Sequence, residues 1–318
     1  MPNLLFLCHR IPYPPNKGDK IRSFHFLRAL AKQYSISLAT FVDDPNDAQY
    51  LSALAPYCAR ICAVPLHPTF RRLRSLRGLL SGKALSVEFY DHPEIWNWLR
   101  REVVQNPPDA VFVYSSPMAQ YVNQLDDIDR LIDFVDVDSD KWQQYAQASG
   151  TATAWLYRRE ADRLLEFERY SAARAIASVF VTQAESALFR RLAGDLISPV
   201  ITVENGVDAG YFSSASMARP EGWQQGRDEA GNRNIVFTGA MDYKPNVDAA
   251  AWFSREVMPL IRHQLPAATF WIVGARPTAE VRSLARTDEV FVTGTVADVR
   301  PYLAHAGVVV VPDRKSVV

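Results

Sequence analysis

The chain has 318 residues, 48% of them hydrophobic, and carries 35 basic and 35 acidic side chains. That is material for two ordinary domains with cores of their own, and too apolar for a disordered chain. The zero formal charge argues against a general nucleic-acid binder, which shows a basic excess.

Leu4–Cys8 reads as a buried strand, followed by a Pro-rich loop, His9–Lys20, and then apolar residues at helical spacing from Ile21 to Ala31. The turn at Gly18, beside Lys17, Lys20 and Arg22, is either an ordinary strand-to-helix turn or an approach to a phosphate or an acceptor. Ser35–Phe41 is the next strand, Asn46–Pro56 a helix and Arg60–Pro65 a strand. This alternation implies parallel βαβ units. Cys58 and Cys62 are spaced C-x3-C with no second Cys or His pair to complete a zinc site; with Cys8 they read as small buried residues of a reducing compartment.

Between Phe70 and Lys83 arginines and leucines interleave. The pattern fits a solvated helix face, an anionic membrane surface or an acidic acceptor. Pro93–Val104 is helical and Ala110–Tyr114 a strand. Leu131–Val135 is a strand running into Asp136-Val137-Asp138-Ser139-Asp140. With Asp133, four carboxylates crowd a strand's carboxyl end, where they cap the following helix, Lys141–Ala148, or serve an acceptor hydroxyl as orienting group or general base. A long helix spans Trp155–Ala175, a strand Ser178–Thr182, a helix opens at Gln183, and the strand Pro199–Val203 ends in Glu204-Asn205-Gly206-Val207-Asp208. Periodicity is lost over Gly210–Asn234, which reads as linker. The boundary is placed near Asn205, giving domains 1–204 and 205–318.

The second half restarts the alternation: strand Ile235–Thr238, helix Val247–His263, strand Thr269–Val273, helix Thr278–Leu284, strand Val290–Val292, helix Val299–His305 and strand Val308–Val311. Strand ends fall at Gly239, Gly274, Gly294 and Pro312. Around Gly239 a polar loop carries Asp242, Lys244 and Asn246 before the helix, whose free amides and dipole suit a phosphate. No G-x-G-x-x-G follows any strand and there is no G-x4-G-K-[ST], which disfavours a dinucleotide oxidoreductase or a P-loop enzyme. No run of about 18 apolar residues is present and Leu4–Leu7 is too short for a signal peptide, so a cytoplasmic protein is expected.

Several of these stretches resemble GT-B glycosyltransferases of family 4. Val203–Asp208 resembles their I-P-N-G-V-D turn, Phe237–Met241 their F-x-G-R-L strand end, Trp271–Ala275 their I-V-G-x-G, and Val292–Val299 their F-x-G-x-V-x-D-V. Arg10–Gly18 and Asp133–Trp142 extend the likeness into the first half. The combination of G-x-M-D-Y-x-P-N-V-D-A with D-x-V-D-V-D-S-x-K-W is similar to sugar transferases associated with the exosortase/PEP-CTERM exopolysaccharide system.

The resemblance implies two Rossmann-like doubly wound α/β domains facing a cleft, and retaining transfer of a sugar from a nucleotide-diphosphate donor to a lipid-linked or saccharide acceptor, without metal or cofactor. It implies donor contacts from Gly18, Gly239, Lys244, Asn246, Gly274, Gly294, Thr295 and Val296. Asp136, Asp138 and Lys244 are the expected catalytic groups. Ala240 stands where the family has an arginine, Lys244 is displaced from the usual lysine, and Asp replaces a histidine common at the strand end 136–138. The donor-contacting E-x7-E expected beyond Pro312 is absent. The last six residues, Asp313–Val318, spell a reading frame of a common sequencing adapter, so the second domain is expected to be incomplete and the chain weakly active or inactive. Peripheral contact with the inner membrane through Phe70–Lys83 is a further expectation.

Rival readings stay open. Asp136-Val137-Asp138 spells the metal-binding D-x-D of a GT-A enzyme, but a GT-A domain would not be followed by a second α/β unit. A GT-B-type nucleotide-sugar epimerase and a nucleotide-binding pseudoenzyme share the architecture. A two-lobed binding protein would call for a secretory signal.

Overall fold

The computed structural model describes residues 1–125, 128–195, 198–213, 217–220, 223 and 233–312. The adapter-like tail 313–318 lies outside the described residues, as does most of 214–232. The chain divides into two compact units, Met1–Gly206 and Val207–Val318.

The first unit is built on seven strands: β1 Asn3–Cys8, β2 Ser35–Val42, β3 Arg60–Pro65, β4 Ala110–Tyr114, β5 Arg130–Val135, β6 Ala177–Phe180 and β7 Val200–Thr202. All pair in parallel, in the order β3-β2-β1-β4-β5-β6-β7. Both faces are covered, which is why the strands read as unbroken apolar runs. Leu5, Leu7, Val111, Val113, Ile132 and Phe134 fill one face, and Leu4, Phe6, Cys8, Phe112 and Tyr114 the other. The strand order reverses between β1 and β4, whose last residues Cys8 and Tyr114 are paired. Such a switch point opens a crevice outside the strands' carboxyl ends.

The second unit repeats the plan with β8 Asn234–Thr238, β9 Thr269–Val273, β10 Val290–Gly294 and β11 Val308–Val309, again parallel, in the order β10-β9-β8-β11. Ile235, Phe237, Phe270 and Ile272 face one core; Val236, Trp271 and Val273 face the other, where Trp271 stacks on Phe291 with ring centroids 4.4 Å apart. The switch point here lies between β8 and β11.

Several elements depart from the sequence reading. Pro45–Leu54 is a 3-10 helix, opened by Pro45 and by the Asp44 carboxylate accepting from the Asn46 amide at 3.0 Å. The expected helix 247–263 is broken into Lys244–Trp252, a π turn Phe253–Val257 and Met258–Gln264. Pro259 sits at the break and lacks the amide that an unbroken ladder needs. Helix Asp138–Gln147 starts three residues early, taking Asp138 and Asp140 into its first turn, and the long helix runs Thr151–Ala172. The interleaved Arg/Leu stretch is two short helices, Pro68–Ser75 and Gly78–Ser81. No described helix is long and apolar enough to cross a membrane.

Candidate functional site

In the first unit the chain leaves β1 through His9 and Arg10. Arg10 pairs with Asp19 and, at 2.8 Å, with Asp43. The His9 ring stacks on Tyr114 (centroids 5.8 Å, 15° between planes), meets Tyr90 edge-on, and places Nε2 3.6 Å from the Asp19 carboxylate. Burial works against the Asp19 charge, but the His9 contact and Arg10 hold its carboxyl well below the usual range. Burial pushes the phenols of Tyr90 and Tyr114 far up, so both stay neutral. Two residues at adjacent strand ends adopt left-handed backbone: Ser115 after β4 (φ 76°) and the β-branched Val135 closing β5 (φ 70°). Strain of this kind clusters at ligand sites.

The register of β5 against β6 slips between Asp133 and Val135. The slip turns the chain outward, leaving Asp136 exposed and Asp138 half-buried at the first position of its helix. Partial desolvation by the surrounding chain raises both carboxyls. Lys141 draws each back, Asp136 pushes Asp138 further up, and His9 acts on Asp138 in the opposite sense. These groups therefore share one neighbourhood with the end of β1. Neither Asp136 nor Asp138 caps the helix: its cap position is Val137, whose amide donates to Glu185 Oε2 at 2.7 Å. Behind them Ser139 Oγ donates to Glu168 Oε2 at 2.6 Å. Glu168 is fully buried, and burial raises its pKa well above the ordinary range.

The cations expected around Gly18 are mostly committed elsewhere. Lys20 is buried on Asp47. Arg22 is buried with Nε 2.8 Å from Asp133 Oδ2, and it also donates to the Val203 carbonyl (2.7 Å) and to Asn205 Oδ1 (3.0 Å). Desolvation forces both charges to pair, so Arg22 fastens the first helix, Gly18–Leu30, to β5 and to the turn after β7 rather than facing a phosphate. Gly18 opens that helix in free space; a Cβ there would meet nothing within 4 Å.

In the second unit Gly239 and Gly274 follow β8 and β9 directly. A Cβ on Gly274 would lie 1.7 Å from the Gly239 carbonyl oxygen, and one on Gly239 would lie 2.6 Å from Asn246 Nδ2. Asn246 donates to the Ala240 carbonyl at 3.0 Å, and the two loops are joined by Met241 N–H to Ala275 O (2.8 Å) and Thr278 N–H to Met241 O (3.2 Å). Gly239, Gly274 and Asn246 therefore form one tight backbone corner. Lys244 begins the helix beyond it, exposed and 2.6 Å from Asp248, which holds its ammonium charge more firmly. The helix end offers fewer amides than expected: Pro245 has none, and those of Asn246 and Val247 both donate to Tyr243 O. Arg276, at φ 50°, makes a paired contact with Asp242 (2.6 and 3.1 Å) across the two loops.

Gly294 closes β10 at φ 72°, with β9 between it and β8. Beyond it Thr295 is exposed, while Val296 packs its side chain on Val236, Trp271 and Val273. Among the described residues no cluster of three or more His, Cys, Asp or Glu side chains could hold a metal ion. The three cysteines are free, and burial pushes the thiols of Cys8 and Cys58 up to about 12 and that of Cys62 to about 11.

Residues 232–317 match the family described as Glycosyl transferases group 1. The chain carries a glycosyltransferase domain. Solved structures extend the likeness to the whole chain at the level of fold. Sucrose-phosphate synthase from Thermosynechococcus elongatus superposes with a TM-score of 0.67 at 16% identity, covering 98% of this chain and 76% of that one. The HepE protein of Anabaena, solved with UDP-glucose, gives 0.57 at 14% identity over 96% and 72%. The UDP-forming trehalose-phosphate synthase of Burkholderia xenovorans, solved with glucose-6-phosphate, gives 0.57 at 10% identity over 98% and 79%. A search of curated proteins finds no match. The fold is the α/β, parallel-sheet GT-B type of these glycosyltransferases.

Sequence reasoning passed over three members of these sites. His9 was read only as loop. Arg276 carried one signal, a basic residue two places after a strand-end glycine. Glu168 interrupts the apolar stripe Ala161, Leu164, Ala172 of its helix, the mark of a buried polar group.

Proposed function

We propose that the protein transfers a sugar from a nucleotide-diphosphate donor, with retention of configuration and without a metal, to a lipid-linked or saccharide acceptor in exopolysaccharide biosynthesis. The observation that carries this reading is the backbone corner of Gly239 against Gly274, lying at strand ends inside the segment that matches the glycosyltransferase family. Only a glycine at position 274 allows the two loops to approach so closely, and a bare backbone lets a diphosphate come near. Lys244 and Arg276 then supply the charge that stabilises the departing diphosphate. Arg276 offsets the missing arginine at Ala240. Asn246 sets the loop, and Gly294, Thr295 and Val296 offer backbone to the base.

In the first unit Asp138 is the group best placed for the acceptor. It is a carboxyl raised by burial and acted on by the His9 charge, at the start of the helix that follows the strained end of β5; a base raised toward working pH abstracts a proton more effectively. Asp136 supports it through its charge, and Gly18, at the start of the first helix, serves the donor side. The domain division 1–204 and 205–318 and a cytoplasmic location belong to this reading.

The test is a transfer assay with UDP- and GDP-sugars and polyprenyl-phosphate-linked acceptors, following nucleoside diphosphate release. Release that depends on acceptor is the expected result. Turnover of the nucleotide-sugar with no acceptor present would favour an epimerase. Absence of any nucleoside-diphosphate binding by calorimetry would remove the donor site.

A further inference from the structure

Amphipathic helices on a protein surface normally bury their apolar stripe and expose their polar one. The pair of short helices Pro68–Ser75 and Gly78–Ser81 does the reverse. The side chains turned inward are polar or small: Arg71, Ser75 and Gly78 are buried. Arg71 donates to the carbonyls of Phe89 (2.8 Å), Glu88 (3.1 Å) and Asp91, anchoring the first helix to the body. At Gly78 a Cβ would lie 2.9 Å from the Lys83 carbonyl, so the second helix sits close because that residue is glycine. The large apolar side chains are left outside: Phe70 is 62% exposed, Leu73 69%, Leu76 44% and Leu80 95%.

A residue remote in sequence joins this face. Arg159, on the helix Thr151–Ala172, donates to the carbonyls of Gly78 and Lys83 and so lies against the second short helix. One turn earlier on the same face stands Trp155, 61% exposed. An exposed tryptophan on a helix that is bonded to one bearing exposed leucines is characteristic of surfaces that rest at a membrane–water interface.

Charge identifies the occupant. Arg72 and Arg77 are exposed among the leucines and Arg74 is half-buried, while no acidic residue occurs between Leu66 and Val87. A second copy of the chain meeting this face across a two-fold axis would set these arginines against themselves. An anionic bilayer offers hydrocarbon for the leucines and phosphates for the guanidinium groups. We propose that the face formed by Phe70, Leu73, Leu76, Leu80 and Trp155, with Arg72 and Arg77, docks the first unit on a bilayer surface rich in anionic phospholipid. The proposal does not depend on the identity of the donor or the acceptor.

The experiment is vesicle flotation of the purified protein with phosphatidylcholine vesicles and with vesicles containing phosphatidylglycerol. Binding at least tenfold stronger to the anionic vesicles, weakening as salt is raised, is expected. Arg72→Ala with Arg77→Ala should lower partitioning about 25-fold, taking roughly fivefold for each basic side chain at an anionic surface. Leu73→Ser with Leu80→Ser should abolish it while thermal unfolding stays unchanged, since both side chains already face water. Equal affinity for the two vesicle types, or no binding to either, would overturn the proposal. So would sedimentation showing a dimer that the leucine variant converts to monomer while vesicle binding is untouched.

Discussion

Gly274 and Gly239 meet at a distance that no side chain permits: a Cβ on the former would sit 1.7 Å from the carbonyl oxygen of the latter. The obstacle is backbone, held by the β8–β9 ladder and by the Met241–Ala275 hydrogen bond. It cannot swing aside like the tip of a side chain. Gly274→Ala should therefore force the two loops apart and cost about 3 kcal/mol or more, at the upper end for overpacking. Denaturant unfolding measures it. A loss under about 1 kcal/mol would mean the corner is looser than described.

Lys244 and Arg276 should be separable from stability altogether. Both are well exposed, and their partners Asp248 and Asp242 lie at the surface, where ion pairs contribute little to folding. If they meet leaving-group charge, Lys244→Ala should lower kcat on the order of 10²-fold without moving the unfolding midpoint. Arg276→Ala should act in the same direction. Steady-state kinetics on acceptor and donor would show the loss in kcat; an unchanged rate for either variant strikes that residue from the site.

Much of this architecture was readable from pattern alone, because both sheets are parallel and covered on both faces. Unbroken apolar runs such as Leu4–Cys8 and Phe270–Val273 admit few other readings. The strand-end glycines were visible too, although their reason was not: it took the approach of the Gly239 carbonyl to show why Gly274 carries no side chain, and the Asn246 amide to show what crowds Gly239. What escaped is long-range. Nothing near Arg22 in the chain says that its partner is Asp133, or that Lys20 will be buried on Asp47. Local spacing left open both an ordinary turn and an approach of Lys17, Lys20 and Arg22 to a phosphate or an acceptor. The basic stretch at Phe70–Lys83 hid a similar detail, since its arginines divide between the inward Arg71 and the outward Arg72 and Arg77. The break at the π turn Phe253–Val257 had a visible cause in Pro259, which the apolar period had outweighed.

Arg22 and Asp133 offer a test of that long-range wiring. Both side chains are almost wholly buried, and the guanidinium has further acceptors in Val203 O and Asn205 Oδ1. Removing one partner strands the other's charge in the interior. Arg22→Ala or Asp133→Ala should each cost about 3–5 kcal/mol. Replacing both together, Arg22→Met with Asp133→Leu, should recover a large part of that loss, since no buried charge remains. A double-mutant cycle in urea reads the coupling, and strictly additive losses would show that the two residues act independently.

Glu168 makes the stability of the first unit depend on pH. It is fully buried, its Oε2 accepts from Ser139, and no described group bonds its Oε1. Burial raises its pKa in the folded chain well above the ordinary 4.5, more than the Ser139 bond lowers it. In the unfolded chain the carboxyl titrates normally. Above about pH 4.5 the unfolded state has therefore lost a proton that the folded state keeps, so unfolding releases a proton and stability falls as pH rises. The fall continues until the folded-state group itself ionises, where it levels off. Glu168→Gln keeps the shape and the acceptor for Ser139 but removes the titration. The variant should lose Glu168's share of this downward slope above about pH 4.5 and should gain in stability on the parent protein as pH rises across the range. Thermal midpoints measured across the range decide it: parallel curves for the two proteins would show that Glu168 ionises alike in the folded and unfolded chain.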